Sequence, residues 1–430
     1  MQRSRSRLWL ALLLCLALVA AACGGDGDGG GEKRRQAAEC STEGLRERSA
    51  AADGGSFRLA QAGQPGKKTL VIGTFGDRTG ANSQIIIPSH NGAQLAIDQA
   101  NAKGDLPVNL EFRPVDNKDA ATNINTAIPI AQQFIADPSV IAVMGGGFSG
   151  ETGATGGLFS GAGLLLISAS ATRVDLVEQG WKTFFRGLAN DDDQGKAVGP
   201  LFEALNCRRV AVVNDKSAYG QGLAQVVVPA VRDAGMEVVL DEGIEPTTDY
   251  TALVDSVLAE DPDAVFYGGY ASEFQLLAKQ LREKGYDGLI ASGDGSKTAT
   301  IGTDIGTEAA EGVILLCPCG DPNASSDPKA REFARAYSDR FKVQPEIYAA
   351  EGYDVANVTI EAIRACGRGG ADAVTRQCVV EEVRKIDYEG VTKRFRFAEN
   401  GQVTPGPIVV YVIRDGKITE VGPVEEVAGS

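Results

Sequence analysis

The stretch VIAVMGGGFSGETGATGGLFSGAGLLLISASAT, residues 140–172, decides the architecture of this chain. Its two apolar runs, 140–144 and 164–167, carry no charge and are bounded by Gly, Ser and Pro, so they read as strands buried on both faces. The segment between them, 151–162, has helical length, and a strand, a helix and a strand within about 30 residues are the repeating unit of a parallel sheet. The rhythm continues on both sides. Residues 69–75 and 108–115 read as strands, and 91–101 and 122–136 as helices, with Gly104 as a helix stop and Pro129 weakening the second helix. A second block repeats the pattern, with strands at 209–213, 237–240, 264–268 and 289–292 and helices at 221–234, 250–259 and 272–284. Two α/β lobes follow. Asn400-Gly401 and Asp415-Gly416 sit between alternating apolar runs and predict antiparallel hairpins.

The 430 residues carry 42 Lys and Arg against 57 Asp and Glu, a formal charge of −15. That length suits about two or three compact domains. The acidic excess argues against a nucleic-acid partner, since phosphate recognition needs clustered Lys and Arg. With His90 as the single histidine of the chain, zinc centres and His-containing triads lack their imidazoles. No metal or cofactor and no enzymatic activity are expected.

Arg3, Arg5 and Arg7 precede an uncharged apolar run over 8–22, too short to span a bilayer and typical of an export signal. Ala20-Ala21-Ala22-Cys23 followed by Gly24-Gly25-Asp26 resembles a bacterial lipoprotein signal, with Ala20 where that family usually has Leu, and implies lipidation of Cys23. Residues 1–22 are thus expected to be a signal peptide and 23–66 a flexible tether without a site of its own. The protein would sit on the outer face of the cell membrane. Beyond Cys23, six cysteines enter an oxidising compartment, and six allow 15 pairings. Cys366 and Cys378 flank a short Gly-rich turn and are the one pair expected to be bonded, stabilising by about 3 kcal/mol on the chain-entropy model. Cys40, Cys207, Cys317 and Cys319 stay unassigned. Cys317-Pro318-Cys319 lacks the second Cys pair or His cluster of a metal site and reads as structural.

Ligands of open α/β sheets bind beyond the carboxyl ends of the strands. Here those ends are small and polar: Gly145 to Gly150, Ser168 to Thr172, Gly268-Gly269-Tyr270 and Gly293-Asp294-Gly295. Gly145, Gly147 and Gly150 spell a dinucleotide fingerprint, but it follows the third strand and Ser170 stands where an acidic ribose ligand belongs. Gly295-Ser296-Lys297-Thr298 lacks the order of a phosphate loop. The hydroxyls of Ser149 and Thr172, with backbone N–H groups around Ser170 and at the helix start near Glu151, instead suit a carboxylate. Tyr270 and Asp294 suit an ammonium group, and Tyr219 offers a ring to cover the ligand. A zwitterion bridging the two lobes at micromolar affinity is the expected ligand. The bland alternative is that Ser149, Thr172 and Asp294 serve as caps and turns. Arg186 and Asp116 read as structural, and His90 as the start of the first helix or part of the cleft rim.

The chain resembles the branched-chain amino acid-binding proteins of ATP-binding-cassette importers, the type I periplasmic-binding-protein class, over roughly 68–420. The likeness runs through Gly80, Asn91-Gly92-Ala93, Asn101-Ala102-Lys103-Gly104, Ser149, Ile167 to Thr172, Asp193-Gln194-Gly195, Tyr219-Gly220, Tyr267-Gly268-Gly269-Tyr270 and Gly352-Tyr353-Asp354. It implies two Rossmann-like lobes with mostly parallel sheets joined by a three-stranded hinge. Lobe 1 would comprise 67–188 and 317–394, and lobe 2 would comprise 189–316 and 395–430. It implies a monomer that closes on a small amino acid or related metabolite and delivers it to a membrane permease. Ser149, Ser170 (through its backbone) and Thr172 would hold the carboxylate, Tyr270 and Asp294 the ammonium, with Tyr219 lining the cleft and Tyr348 at its edge. Ile85 stands where leucine-binding members tend to carry an aromatic residue, and Asp294 where some have Glu, so leucine specificity is not implied. A sensory receptor on the same fold, or a binder of an amide or aromatic acid, is the alternative.

Overall fold

A computed structural model describes residues 40–42, 44, 45, 64–118, 120, 121 and 123–429; the expected export signal and Cys23 lie outside them. The first lobe is laid down by β1 (Thr69–Gly76), α1 (Ser83–Lys103), β2 (Asn109–Asp116), α2 (Ala127–Ala136), β3 (Val140–Met144), α3 (Ser149–Gly161), β4 (Leu165–Ser168) and β5 (Phe184–Arg186). The strands pair in parallel in the order β2-β1-β3-β4-β5. Every residue of β3 and β4 is buried, as expected for strands covered by helices on both sides.

The second lobe continues with α4 (Asp191–Ala204), β6 (Arg209–Asn214), α5 (Ala218–Asp233), β7 (Glu237–Gly243), α6 (Thr251–Ala259), β8 (Ala264–Gly268), α7 (Ala271–Glu283), β9 (Leu289–Ser292), α8 (Ile301–Ile305) and β10 (Ile314–Cys317). The chain returns to lobe 1 with α9 (Pro328–Phe341), α10 (Ala349–Cys366), α11 (Arg376–Arg384) and the short ladder of β11 (Tyr388–Glu389) with β12 (Arg394–Phe395). It ends on lobe 2 with β13 (Val409–Arg414), β14 (Lys417–Pro423) and α12 (Val424–Ala428). The second sheet runs β14-β13-β10-β9-β8-β6-β7, with β13 antiparallel to both β10 and β14.

Core membership places the crossings between lobes. Phe185 and Val403 pack in the lobe 1 core, whereas Leu188, Cys319 and Ile408 pack in that of lobe 2. The chain therefore crosses just after Arg186, between Cys319 and α9, and between Val403 and Ile408. Helices α1 and α10 meet closely on lobe 1: a Cβ on Gly92 would lie 2.0 Å from the Ala349 carbonyl oxygen, and one on Gly352 would lie 2.2 Å from that of Ser89. Only glycine allows backbones to approach so closely.

Several expectations need correction. Helix α1 begins at Ser83, not near residue 91, and continues through Pro88, which places His90 inside the helix and buried. Pro129 does not disturb α2, because the helix starts at Ala127 and Pro129 falls in its first turn, where a backbone N–H has no intrahelical partner. Asp415 (φ 50°) and Gly416 (φ 72°) form the two-residue turn between β13 and β14. Asn400-Gly401 also closes an antiparallel turn, through a longer loop: with Gly401 at φ 87°, its N–H donates to the Ala398 carbonyl (2.9 Å). Ala398 N donates to the Gln402 carbonyl (2.8 Å) and Thr404 N to the Arg396 carbonyl (3.0 Å), flanking the antiparallel bridge of Phe397 with Val403. The Arg186 N–H donates to the Gly401 carbonyl (2.9 Å), and Gln402 pairs in parallel with Arg186. The outgoing arm of that turn is taken up by the edge of lobe 1.

Cys366 is bonded to Cys378, and Cys317 to Cys319. The third bond joins Cys40 to Cys207, 167 residues apart. The segment read as a tether without a site is thus fixed at Cys40 to the end of α4.

Candidate functional site

The loops after β3, β4, β6, β8 and β9 open toward one another at the carboxyl ends of the two parallel sheets. Phe148 is extended (φ −118°), and Ser149 opens α3 directly behind it. The loop is held by Glu151, whose Oε1 accepts from Gly147 N (2.8 Å) and Phe148 N (3.4 Å) while Asn117 Nδ2 donates to its Oε2 (3.0 Å). Burial nevertheless dominates and pushes the Glu151 carboxyl up to about 8. Ser149 Oγ accepts from Arg173 N (3.2 Å), which leaves its own proton to donate.

Ser170 differs from expectation. Its N–H donates to Ser168 Oγ (3.3 Å) and its hydroxyl to the Gly147 carbonyl (2.8 Å), so both its donors serve the loop itself. The hydroxyl of Thr172 is buried and lies near the Asp191 carboxylate, whose charged form it favours, without a close hydrogen bond. The Thr172 carbonyl accepts from Asp191 N (2.9 Å) and Arg186 Nη1 (3.0 Å), so α4 of lobe 2 starts directly against the β4 loop of lobe 1.

On lobe 2, Asp294 lies in a short turn after β9 and is 3% exposed. Its Oδ1 accepts from Gln194 Nε2 (2.6 Å) and the Tyr219 hydroxyl (2.9 Å), and its Oδ2 from the Tyr348 hydroxyl. The glycines on either side let Tyr219 come in: a Cβ on Gly293 would lie 2.6 Å from the Tyr219 hydroxyl oxygen, and one on Gly295 would lie 2.6 Å from the Tyr219 ring. Asp294 is therefore more than a turn residue. Tyr348 is held at φ 60°, a left-handed conformation that costs a non-glycine residue about 1–2 kcal/mol and here delivers its hydroxyl to Asp294. The Tyr270 ring stands 5.2 Å from that of Tyr219 and 5.0 Å, edge to face, from that of Phe148, closing an aromatic wall across the lobes.

Sequence reasoning missed Asp191, Gln194 and Phe148. Asp191 is fully buried, and its carboxylate oxygens have no close hydrogen-bond partner beyond the nearby Thr172 hydroxyl; Gln194 Oε1 also lacks one. Burial, and next the negative charge of Asp294, raise the Asp191 carboxyl well above its ordinary range, and burial raises Asp294 too. A signal was present in Asn190-Asp191-Asp192-Asp193-Gln194, an N-cap followed by acidic residues.

The lobes touch around these groups. Ser272 Oγ donates to Asn82 Oδ1 (3.4 Å), Thr300 Oγ1 to Gln84 Oε1 (3.1 Å), and Ile85, Ile86 and Phe148 share a core with lobe 2. Closing without a ligand therefore buries two facing carboxylates. Because their acidities are weakened in the closed form, that form holds more protons than an open, solvated one, and acid favours closure. Ligand-free protein should contract in X-ray scattering as pH falls through the raised carboxyl values, and Asp191→Asn should largely remove that dependence. Contraction on raising the pH would contradict the assignment.

His90 lies beside this region, not in it. Its Nδ1 accepts from Arg78 Nη1 (2.9 Å), so its Nε2 carries the proton toward Thr74 Oγ1 (2.9 Å), and burial and then Arg78 lower its pKa to about 3. It borders a small cavity of lobe 1 with Ile86, Gly147 and Ser170.

Residues 69–417 match the profile of the periplasmic binding protein family. The chain belongs to that family. This periplasmic binding protein is 28% identical over 345 residues to the leucine-, isoleucine-, valine-, threonine-, and alanine-binding protein of Pseudomonas aeruginosa, across 80% of this chain and 89% of that one. Its fold is similar to that of a leucine-binding protein from Thermotoga maritima (TM-score 0.74, 25% identity, 82% of this chain and 97% of that one). It is equally similar to the branched-chain amino acid transporter substrate-binding protein of Streptococcus pneumoniae in complex with isoleucine (TM-score 0.74, 27% identity, 83% and 100%). The two-lobed type I architecture is thereby shown.

Proposed function

We propose that this periplasmic binding protein captures an α-amino acid between its lobes and hands it to the permease of an ATP-binding-cassette importer. The observation that carries the reading is a buried, under-satisfied set of acceptors: the Asp191 carboxylate, which has only the nearby Thr172 hydroxyl turned toward it, and Gln194 Oε1. Buried polar groups are normally paired, and an ammonium group beside Asp191 and Asp294 satisfies the acceptors at once. The Ser149 and Thr172 hydroxyls and the N-terminus of α3 supply donors for a carboxylate. Tyr219, Tyr270 and Phe148 exclude water around the ligand. The relatives named above support an aliphatic amino acid.

Closure then follows from differential affinity. The ligand's positive end offsets the repulsion between two neighbouring carboxylates of lobe 2 that closure buries against lobe 1, so the closed state is populated when ligand is present. The permease reads that state. Cys23 is the proposed lipid attachment that keeps the protein at the membrane, and no helix among the described residues is long and apolar enough to cross it.

Calorimetry with the common amino acids tests the proposal. At least one aliphatic amino acid should bind with a dissociation constant of about 1 μM or tighter, while the matching amine without a carboxylate and acid without an ammonium should not bind measurably. Equal binding of the acid alone would refute the two-ended site.

A further inference from the structure

The N-terminal arm is attached to the wrong lobe for its place in the sequence. The first strand, β1, belongs to lobe 1, and so does Gln64 just before it, whose N–H donates to Asn109 Oδ1 (2.9 Å) on β2. The described residues 40–42, 44 and 45 lie instead against lobe 2. Cys40 is bonded to Cys207, between α4 and β6. The Thr42 carbonyl accepts from Arg414 Nη2 (3.2 Å) at the end of β13, and Leu45 packs against the lobe 2 core.

We propose that the Cys40–Cys207 bond makes lobe 2 the membrane-held lobe and shortens the tether, an inference that rests on lipidation of Cys23. A chain spans at most about 3.3–3.6 Å per residue. From Cys23 to Cys40 that is a reach of about 60 Å, against about 160 Å from Cys23 to β1 if the bond were absent. With the bond in place, a pull on the lipid acts on lobe 2, and lobe 1 is the half free to swing as the cleft opens. Reducing this one bond would transfer the load to lobe 1 and lengthen the leash more than twofold.

The test uses the full-length lipidated chain on phosphatidylcholine vesicles, with a site-specific protease sequence inserted between residues 46 and 63. After cleavage, the body should stay with the sedimented vesicles and leave on addition of dithiothreitol. The Cys40→Ser, Cys207→Ser double variant should release its body on cleavage alone, leaving at least tenfold less in the pellet. Release of the wild-type body without reductant would overturn the proposal. If the uncleaved chain does not sediment with vesicles, the lipid reading fails and the membrane-held lobe with it; a non-reducing gel of the cleaved chain then still shows whether residues before the cut remain bonded to the body.

Discussion

Asp294→Ala is expected to weaken amino-acid binding by roughly 150-fold, about 3 kcal/mol, the upper end for a hydrogen bond to a charged group. The carboxylate is buried, gathers donors from Gln194, Tyr219 and Tyr348, and faces the under-satisfied oxygens of Asp191. Removing it leaves an ammonium with one carboxylate in place of two. Asp294→Asn keeps the shape and loses the charge, so it should show a similar loss, which separates charge from packing. Thermal unfolding without ligand should move little in the Asn variant, because the carboxylate is held against an unfavourable desolvation that raises its pKa. Unchanged affinity in both variants would remove Asp294 from the site.

Arg186→Ala should instead cost stability, by about 3 kcal/mol or more, because several buried acceptors lose their donor at about 1–3 kcal/mol each. Its guanidinium is fully buried on β5 and still cationic, with burial lowering its pKa to about 10. Nη1 donates to the carbonyls of Thr172 (3.0 Å) and Arg173 (2.6 Å), while Nε and Nη2 donate to Gln402 Oε1 (2.8 and 2.6 Å). Gln402 Nε2 in turn donates to the Leu188 carbonyl (2.8 Å). One side chain thus ties the Thr172 loop to two of the chain crossings. Arg186→Lys should recover only part of the loss, since an ammonium cannot make the forked pair with Gln402. The urea midpoint reads the effect, and ligand affinity should fall with it because the Thr172 loop loses its support. A midpoint within error of wild type would show that the network is dispensable.

Most strands of both sheets could be read because burial on two faces leaves continuous apolar runs, as in β3, β4 and β8, although β10 was not among them. Strand β5 could not: three residues, Phe184-Phe185-Arg186, end in a charge that is paid for only by partners 13 to 216 positions away. The antiparallel turns at Asp415-Gly416 and Asn400-Gly401 were both legible from their turn residues, whereas the further pairing of the second with Arg186 was announced by no local signal. Ser149, Thr172, Tyr219 and Asp294 could be picked out as polar residues at strand ends, while Ser170 was misjudged because its donors close the loop locally.

The sequence by itself determined which residues stand at the carboxyl ends of the strands, since apolar period and turn chemistry are local properties of the chain. The tertiary structure alone decided that Asp191, which opens α4, looks across at Asp294 after β9, and that Cys40 meets Cys207. Those pairings depend on how the strands and helices of lobe 2 pack together, and no short-range pattern encodes a distance between residues a hundred or more positions apart.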